Sequence, residues 1–172
     1  MKKHNAQIAK IVEGLQKFSP EIILFNPPVS NELIIKFENK YNIQLPDDYK
    51  QLLKITNGFN LMGDEVLGIT FDSKSYDLAG AYQFEHFETQ LPMPKHLIPF
   101  SPDGGGNYYC FDTQKETNSG FSRKIVFYAT DYEYNENDTP EETHECLSDF
   151  INECIINWTL EDYNYDGSKK SK

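Results

Sequence analysis

Residues 98–112 read Ile-Pro-Phe-Ser-Pro-Asp-Gly-Gly-Gly-Asn-Tyr-Tyr-Cys-Phe-Asp. A short apolar run ending at Phe100 meets Gly104, Gly105 and Gly106, and an aromatic run then opens at Asn107. Glycine adopts positive φ without steric cost, so such a triplet can reverse the chain or let backbones approach closely. A glycine loop that cradles phosphate runs instead into a helix whose N-terminus faces the anion. Here Tyr108, Cys110 and Asp112 alternate with Tyr109 and Phe111, which is the period of a strand. The stretch is therefore read as strand, turn, strand, and it selects an antiparallel meander over a nucleotide-binding crossover.

Upstream the period is helical. Ile8, Ile11, Val12, Leu15 and Phe18 form one stripe ending before Ser19-Pro20. Ser30 is placed to cap a second helix carrying Leu33, Ile34, Phe37 and Tyr41, with Asn42 closing it. Leu45-Pro46-Asp47-Asp48-Tyr49 starts a third, with Pro46 suited to the first turn and the aspartates favoured by the helix dipole. Asn57-Gly58 stops it, and 66–70 reads as a first strand. Residues 71–94 are left open: Ser75 could cap a short helix through Tyr82, but Gly80 weakens that pattern. Downstream, strands are expected at 97–100, 108–112 and 124–129, joined by a polar hairpin connection over 114–122. A last helix is expected from about Thr143, with Leu147, Phe150, Ile151, Cys154, Ile155 and Trp158 on one face. The sum is an α+β fold, an antiparallel sheet of about five to six strands with N-terminal helices and a C-terminal helix packed on one face. Residues 1–163 form one domain in this reading, and 164–172 a frayed polar tail.

With 172 residues, one core can bury about 70% of the surface the unfolded chain exposes. Twenty-seven acidic residues against 16 basic ones give a formal charge of -11, a field that repels nucleic acid and speeds encounter with a basic partner. Solubility alone is the competing explanation. Cys110, Cys146 and Cys154 make neither a disulfide framework nor a zinc ribbon, and they read as small buried hydrophobes in a reducing cytosol. No export signal and no stretch of ~20 apolar residues is seen, so a cytoplasmic, membrane-independent protein is expected.

Leu45-Pro46-x-Asp48-Tyr49, Asn57-Gly58, the Gly68 strand, Ile98-Pro99 and Asp103-Gly104-Gly105-Gly106-Asn107-Tyr108 through Asp112 occur in an order and spacing that resemble the SUKH superfamily, the Smi/Knr cell-wall-regulator-like family. The resemblance implies a SUKH-like fold and a non-enzymatic binding domain without cofactor or metal. Many bacterial members are immunity proteins that bind and block a cognate polymorphic or contact-dependent toxin; the acidity of this chain points to a basic one, such as a nuclease with a positive cleft. Fungal relatives act as hubs in cell-wall signalling, so an intracellular scaffold or regulator is the alternative, and an uncharacterised enzyme is the second one. This chain departs from the pattern in its extended acidic connection between the last strand and the last helix.

That connection, Asp131-Tyr132-Glu133-Tyr134-Asn135-Glu136-Asn137-Asp138-Thr139-Pro140-Glu141-Glu142, is the candidate partner-binding segment. Aromatic residues set among charges are common interface anchors. Asp131, Glu133, Asn135 and Glu142 match positions 1, 3, 5 and 12 of a calcium loop, but Glu136 stands where the sharp turn needs glycine. His4, His86, His96 and His144 show no ligand spacing. A Cys-His nucleophile assembled across the fold stays open, whereas Asp47 and Asp48 are explained by the helix dipole rather than as an acid-base pair. Tyr108, Tyr109 and Phe111 lack the basic neighbours of a base-stacking platform, since Asp103 and Asp112 flank them.

Overall fold

The computed structural model describes residues 2–71, 76–117, 120–135 and 137–171, with side chains from residue 6 onward. Helix α1 (Lys2–Leu15) buries Ile8, Ile11, Val12 and Leu15, and the short strand β1 (Ile23–Phe25) follows. Helix α2 (Asn31–Tyr41) is capped by Ser30, whose hydroxyl accepts from Leu33 N–H at 3.3 Å, and closed by Asn42 at φ 53°. Helix α3 (Asp47–Ile55) starts after Pro46 and buries Asp48, Tyr49, Leu52 and Leu53.

Strands β2 (Phe59–Leu61) and β3 (Asp64–Val66) pair with β1 in the order β1-β2-β3. After helix α4 (Leu78–Phe87), strands β4 (Leu97–Pro102), β5 (Tyr108–Glu116), β6 (Arg123–Tyr128) and β7 (Glu141–His144) form a second sheet in sequence order. All pairings are antiparallel. The α+β reading is met, with its strands divided into a three-stranded and a four-stranded sheet rather than one. The sheets are stitched together by Leu67 N–H to Phe100 O at 2.8 Å and Ser101 Oγ to Glu65 O at 2.6 Å.

The expected strand over 66–70 ends at Val66. Beyond it, the Asn57 side chain substitutes for a partner strand, accepting from Ile69 N–H at 2.8 Å and donating to Ile69 O at 2.9 Å. The crossing is close. A Cβ on Gly68 would lie 2.0 Å from Asn57 O, and one on Gly58, at φ 77°, would lie 2.3 Å from Val66 O.

Helix α4 lies within the stretch left open by the sequence. Its cap is Asp77, which accepts from Gly80 N–H at 2.7 Å while its other oxygen takes Thr70 and Phe71 N–H groups at 2.8 and 2.9 Å. Ser75 lies outside the described residues. Successive side chains of a strand point to opposite faces. Tyr109 packs on Phe150, with ring centroids 4.7 Å apart, whereas Tyr108 on the other face shares a hydroxyl-hydroxyl hydrogen bond with Tyr76 beside α4. Helices thus cover both faces of the second sheet, not one.

The C-terminal helix begins at Leu147 rather than Thr143, because 141–144 joins β6 as an edge strand. It runs without a break as α5 (Leu147–Phe150), a π-helical stretch (Ile151–Asn157) and α6 (Trp158–Asp162). Bonds from i to i+5 widen the turn, so residues after the stretch lose α-helical register with the face before it. Ile156 and Thr159 are buried as a result, while Trp158, expected on the inner face, is 52% exposed. The segment after 163, expected to fray, folds back: Ser19 N–H donates to Tyr165 O at 2.7 Å, and the Tyr165 ring sits 4.8 Å from Phe18.

Candidate functional site

Two connections emerge at the same end of the second sheet: the β4–β5 turn through Gly104–Gly106 and the β6–β7 connection that carries the acidic-aromatic segment. The turn is built around Asp103. Its Oδ1 accepts from Gly105 N–H at 2.7 Å and Asn107 N–H at 2.8 Å, and its Oδ2 from Asn107 Nδ2 at 2.8 Å. Burial pushes the Asp103 carboxyl up, but the donors of Asn107 and Gly105 together hold it below the usual range. The two connections are tied by Thr130 N–H to Asn107 Oδ1 at 3.2 Å and Thr130 Oγ1 to Gly106 O at 2.9 Å. The glycine turn and the acidic segment, far apart in sequence, are therefore one surface.

Within the acidic segment the residues divide. Tyr134 is half-buried; its ring stacks on Tyr128 at 5.1 Å and its hydroxyl accepts from Ala129 N–H at 3.1 Å. It props the loop more than it presents itself. Tyr132 is 49% exposed, and its hydroxyl donates to Asp138, which raises the phenol pKa. Glu142, expected at the partner surface, lies on β7 between Lys115 and Lys124, each at 2.8 Å. Hydrogen bonds from those two ammonium groups pull its carboxyl down to about 2. A charge already neutralised twice offers little to a partner, so Glu142 belongs to the scaffold of the sheet edge. Asp131, Glu133 and Glu141 are exposed, and no described side chain pairs with them. Glu136 lies outside the described residues.

The residues of the strand-turn-strand pattern and its upstream companions hold the frame. Leu45 is buried. Tyr49 Oη donates to Leu67 O at 2.5 Å, joining α3 to the chain that leaves β3. Asp48 is 2% exposed, and burial pushes its carboxyl up to about 6 against hydrogen bonds from Ser122, Tyr49 and Leu147. The dipole reading of Asp48 is incomplete, since this carboxylate links α3 to the β5–β6 hairpin and to the start of α5. Pro99 lies in β4 opposite Cys110, and Asp112 is buried with Lys115 Nζ 3.8 Å from it.

The structure also brings together a cysteine and a histidine that lie apart in the sequence. Cys154 Sγ is 3.4 Å from His144 Nε2, and the Glu153 carboxylate is 3.5 Å from the same nitrogen. Edge-strand pairing of 141–144 turns His144 inward beside the helix, which periodicity alone did not signal. Burial, together with Glu153 and Asp64, pushes the Cys154 thiol up to about 11, and burial pushes the imidazole down. Both groups are neutral near pH 7, the reverse of an activated thiolate-imidazolium pair. Cys110 is fully buried and its thiol is raised well above its ordinary value. Among the described residues, no three His, Cys, Asp or Glu side chains converge as metal ligands, and no helix is long and apolar enough to cross a membrane.

The sequence profile described as the SMI1/KNR4 family (SUKH-1) matches residues 28–153. The chain belongs to this family. The match runs from the segment before α2 into the π-helical stretch, so α1, α6 and the folded-back tail lie outside it. The fold also resembles that of a protein from Pseudomonas syringae pv. tomato known by its crystal structure, with a TM-score of 0.63 at 17% identity, covering 87% of this chain and 98% of that one. No curated protein matches the sequence. Within the SMI1/KNR4 frame, the acidic β6–β7 connection and the glycine turn form one continuous exposed surface.

Proposed function

We propose that this SUKH domain is a non-enzymatic protein-binding module that acts as an immunity protein, neutralising a cognate toxin domain by direct contact. The partner is basic, of the kind represented by a nuclease whose cationic cleft binds phosphate backbones. One observation carries the reading: Asp131 and Glu133 on the loop of Tyr132, and Glu141 where that loop enters β7, stand exposed with no described side chain paired to them, and Tyr134 and Thr130 brace the loop. An acidic-aromatic face on a chain of charge -11 steers and anchors a cationic surface. Family membership supports a binding role, and the neutral state of the Cys154–His144 pair argues against thiol chemistry.

The test is to read the open reading frames beside this gene and, where one encodes a toxin domain, to co-express the two. Rescue of growth and copurification are expected; growth arrest without copurification would sink the proposal. Reversing charge at Asp131, Glu133 and Glu141 together should slow association and flatten its salt dependence, while leaving dissociation less affected. Unchanged on-rates would move the interface off this loop.

A further inference from the structure

Beside the glycine turn, a cavity of about 90 Å³ opens between the two sheets and the C-terminal helix, lined by Tyr109, Phe150, Cys154 and the half-exposed Trp158. Smaller than the ~150 Å³ cavity that admits benzene, it has room for a group of a few heavy atoms at the tip of a side chain, such as a guanidinium, with the rest of that side chain outside. Asp64 and Asp103 also line it, and none of its described lining residues is basic. Asp103 is held in place by three hydrogen bonds from Gly105 and Asn107. No described residue ion-pairs with Asp64, and partial burial raises its pKa. After burial, Cys154, Asp103, Asp64 and Glu141 raise the Tyr109 phenol, and Glu153 and Asp64 raise the Cys154 thiol. Among the described residues, the pocket is therefore anionic and holds no cation.

The π-helical stretch makes this arrangement available. Trp158, the residue that follows it, is half exposed and lines the cavity together with Phe150 and Cys154. A planar cation stacks on an indole face and pairs in forked geometry with carboxylates, a combination that arginine satisfies better than lysine.

We propose that this cavity receives an arginine side chain of the basic protein partner, with the guanidinium between Asp64 and Asp103 and against Trp158. The proposal rests on the protein-binding reading only for the protein that supplies the arginine; the pocket's selectivity can be measured without it. Trp158 is the single tryptophan of the chain, so its fluorescence reports on the site directly.

The experiment titrates the full chain with acetyl-Gly-Arg-Gly-amide and with the same peptide carrying neutral citrulline. A saturable change in Trp158 emission is expected with the arginine peptide, with affinity about tenfold weaker or worse for citrulline and for Asp64→Asn, as loss of a charge-assisted hydrogen bond implies. Asp64→Glu should retain binding within a few-fold, and Glu32→Gln, exposed on α2 and outside the cavity lining, should leave it unchanged. Circular dichroism of each variant establishes that the fold is intact. A non-saturable response, equal responses to arginine and citrulline, or full binding by Asp64→Asn would overturn the proposal. Failure of the titration with toxin neutralisation intact removes the pocket and leaves the binding reading; arginine binding without neutralisation does the opposite.

Discussion

Asp48 makes the most quantitative prediction. Its carboxyl sits at the junction of α3, the β5–β6 hairpin and the start of α5, where burial raises its pKa from 3.8 to about 6. The unfolded chain releases this proton near 3.8, while the native state keeps it until about 6. In that window the native state binds more protons, so stability falls as pH rises through it, and the lost part stays lost above it. At about 1.4 kcal/mol per pH unit, the whole window is on the order of 3 kcal/mol. A side-chain amide cannot ionise, so Asp48→Asn abolishes this dependence while keeping an oxygen for the Leu147 and Ser122 donors. Urea unfolding followed by far-ultraviolet circular dichroism, run in parallel on both proteins from pH 5 to pH 8, reads the difference. The wild type should lose on the order of 1 kcal/mol relative to the variant between pH 5 and pH 7, then run parallel to it. Curves parallel throughout, or a wild type that gains on the variant as pH rises, would refute the assignment of a buried, destabilised carboxylate.

Gly58→Ala should destabilise by about 3 kcal/mol or more, because the new Cβ meets Val66 O at 2.3 Å from a left-handed backbone; a urea midpoint close to wild type would show that the crossing can relax. Glu142→Gln should cause a small fall in Tm at low salt that vanishes at high salt, since exposed ion pairs are screened. Because the Glu142 pKa is lowered from 4.5 to about 2, its contribution is fully present above pH 4.5 and is lost as pH falls toward 2. A thiol reagent at pH 8 should label half-buried Cys146 first, Cys154 more slowly and Cys110 only on unfolding, with mass spectrometry of peptides giving the order. Rapid labelling of Cys154 would mean that its pairing with His144 activates the thiol.

Much of the frame was legible because it is written locally. Ser30, Asn42, Pro46 and the glycines of 104–106 act within a few residues of their own position, through capping geometry and permitted φ values. The stripes of α1, α2 and α3 follow from side-chain periods that the backbone imposes. The surface was legible only in outline. Composition marked 131–142 as acidic and aromatic, but could not say that Glu142 is taken up by Lys115 and Lys124, or that Tyr134 is a prop.

What chain order alone could settle was fold class, the strand-turn-strand pattern and the sign of the charge, since each depends on near neighbours or on a sum over all residues. What needed the packed molecule was every pairing across long sequence separation: Asn57 with Ile69, Thr130 with Asn107, Cys154 with His144, and the division of the strands into two sheets. The π-helical turn that exposes Trp158 belongs with these. Its hydrogen bonds are set by how the helix must lie on the sheet and against α1, and that fit is a property of the assembled core rather than of any stretch of seven residues.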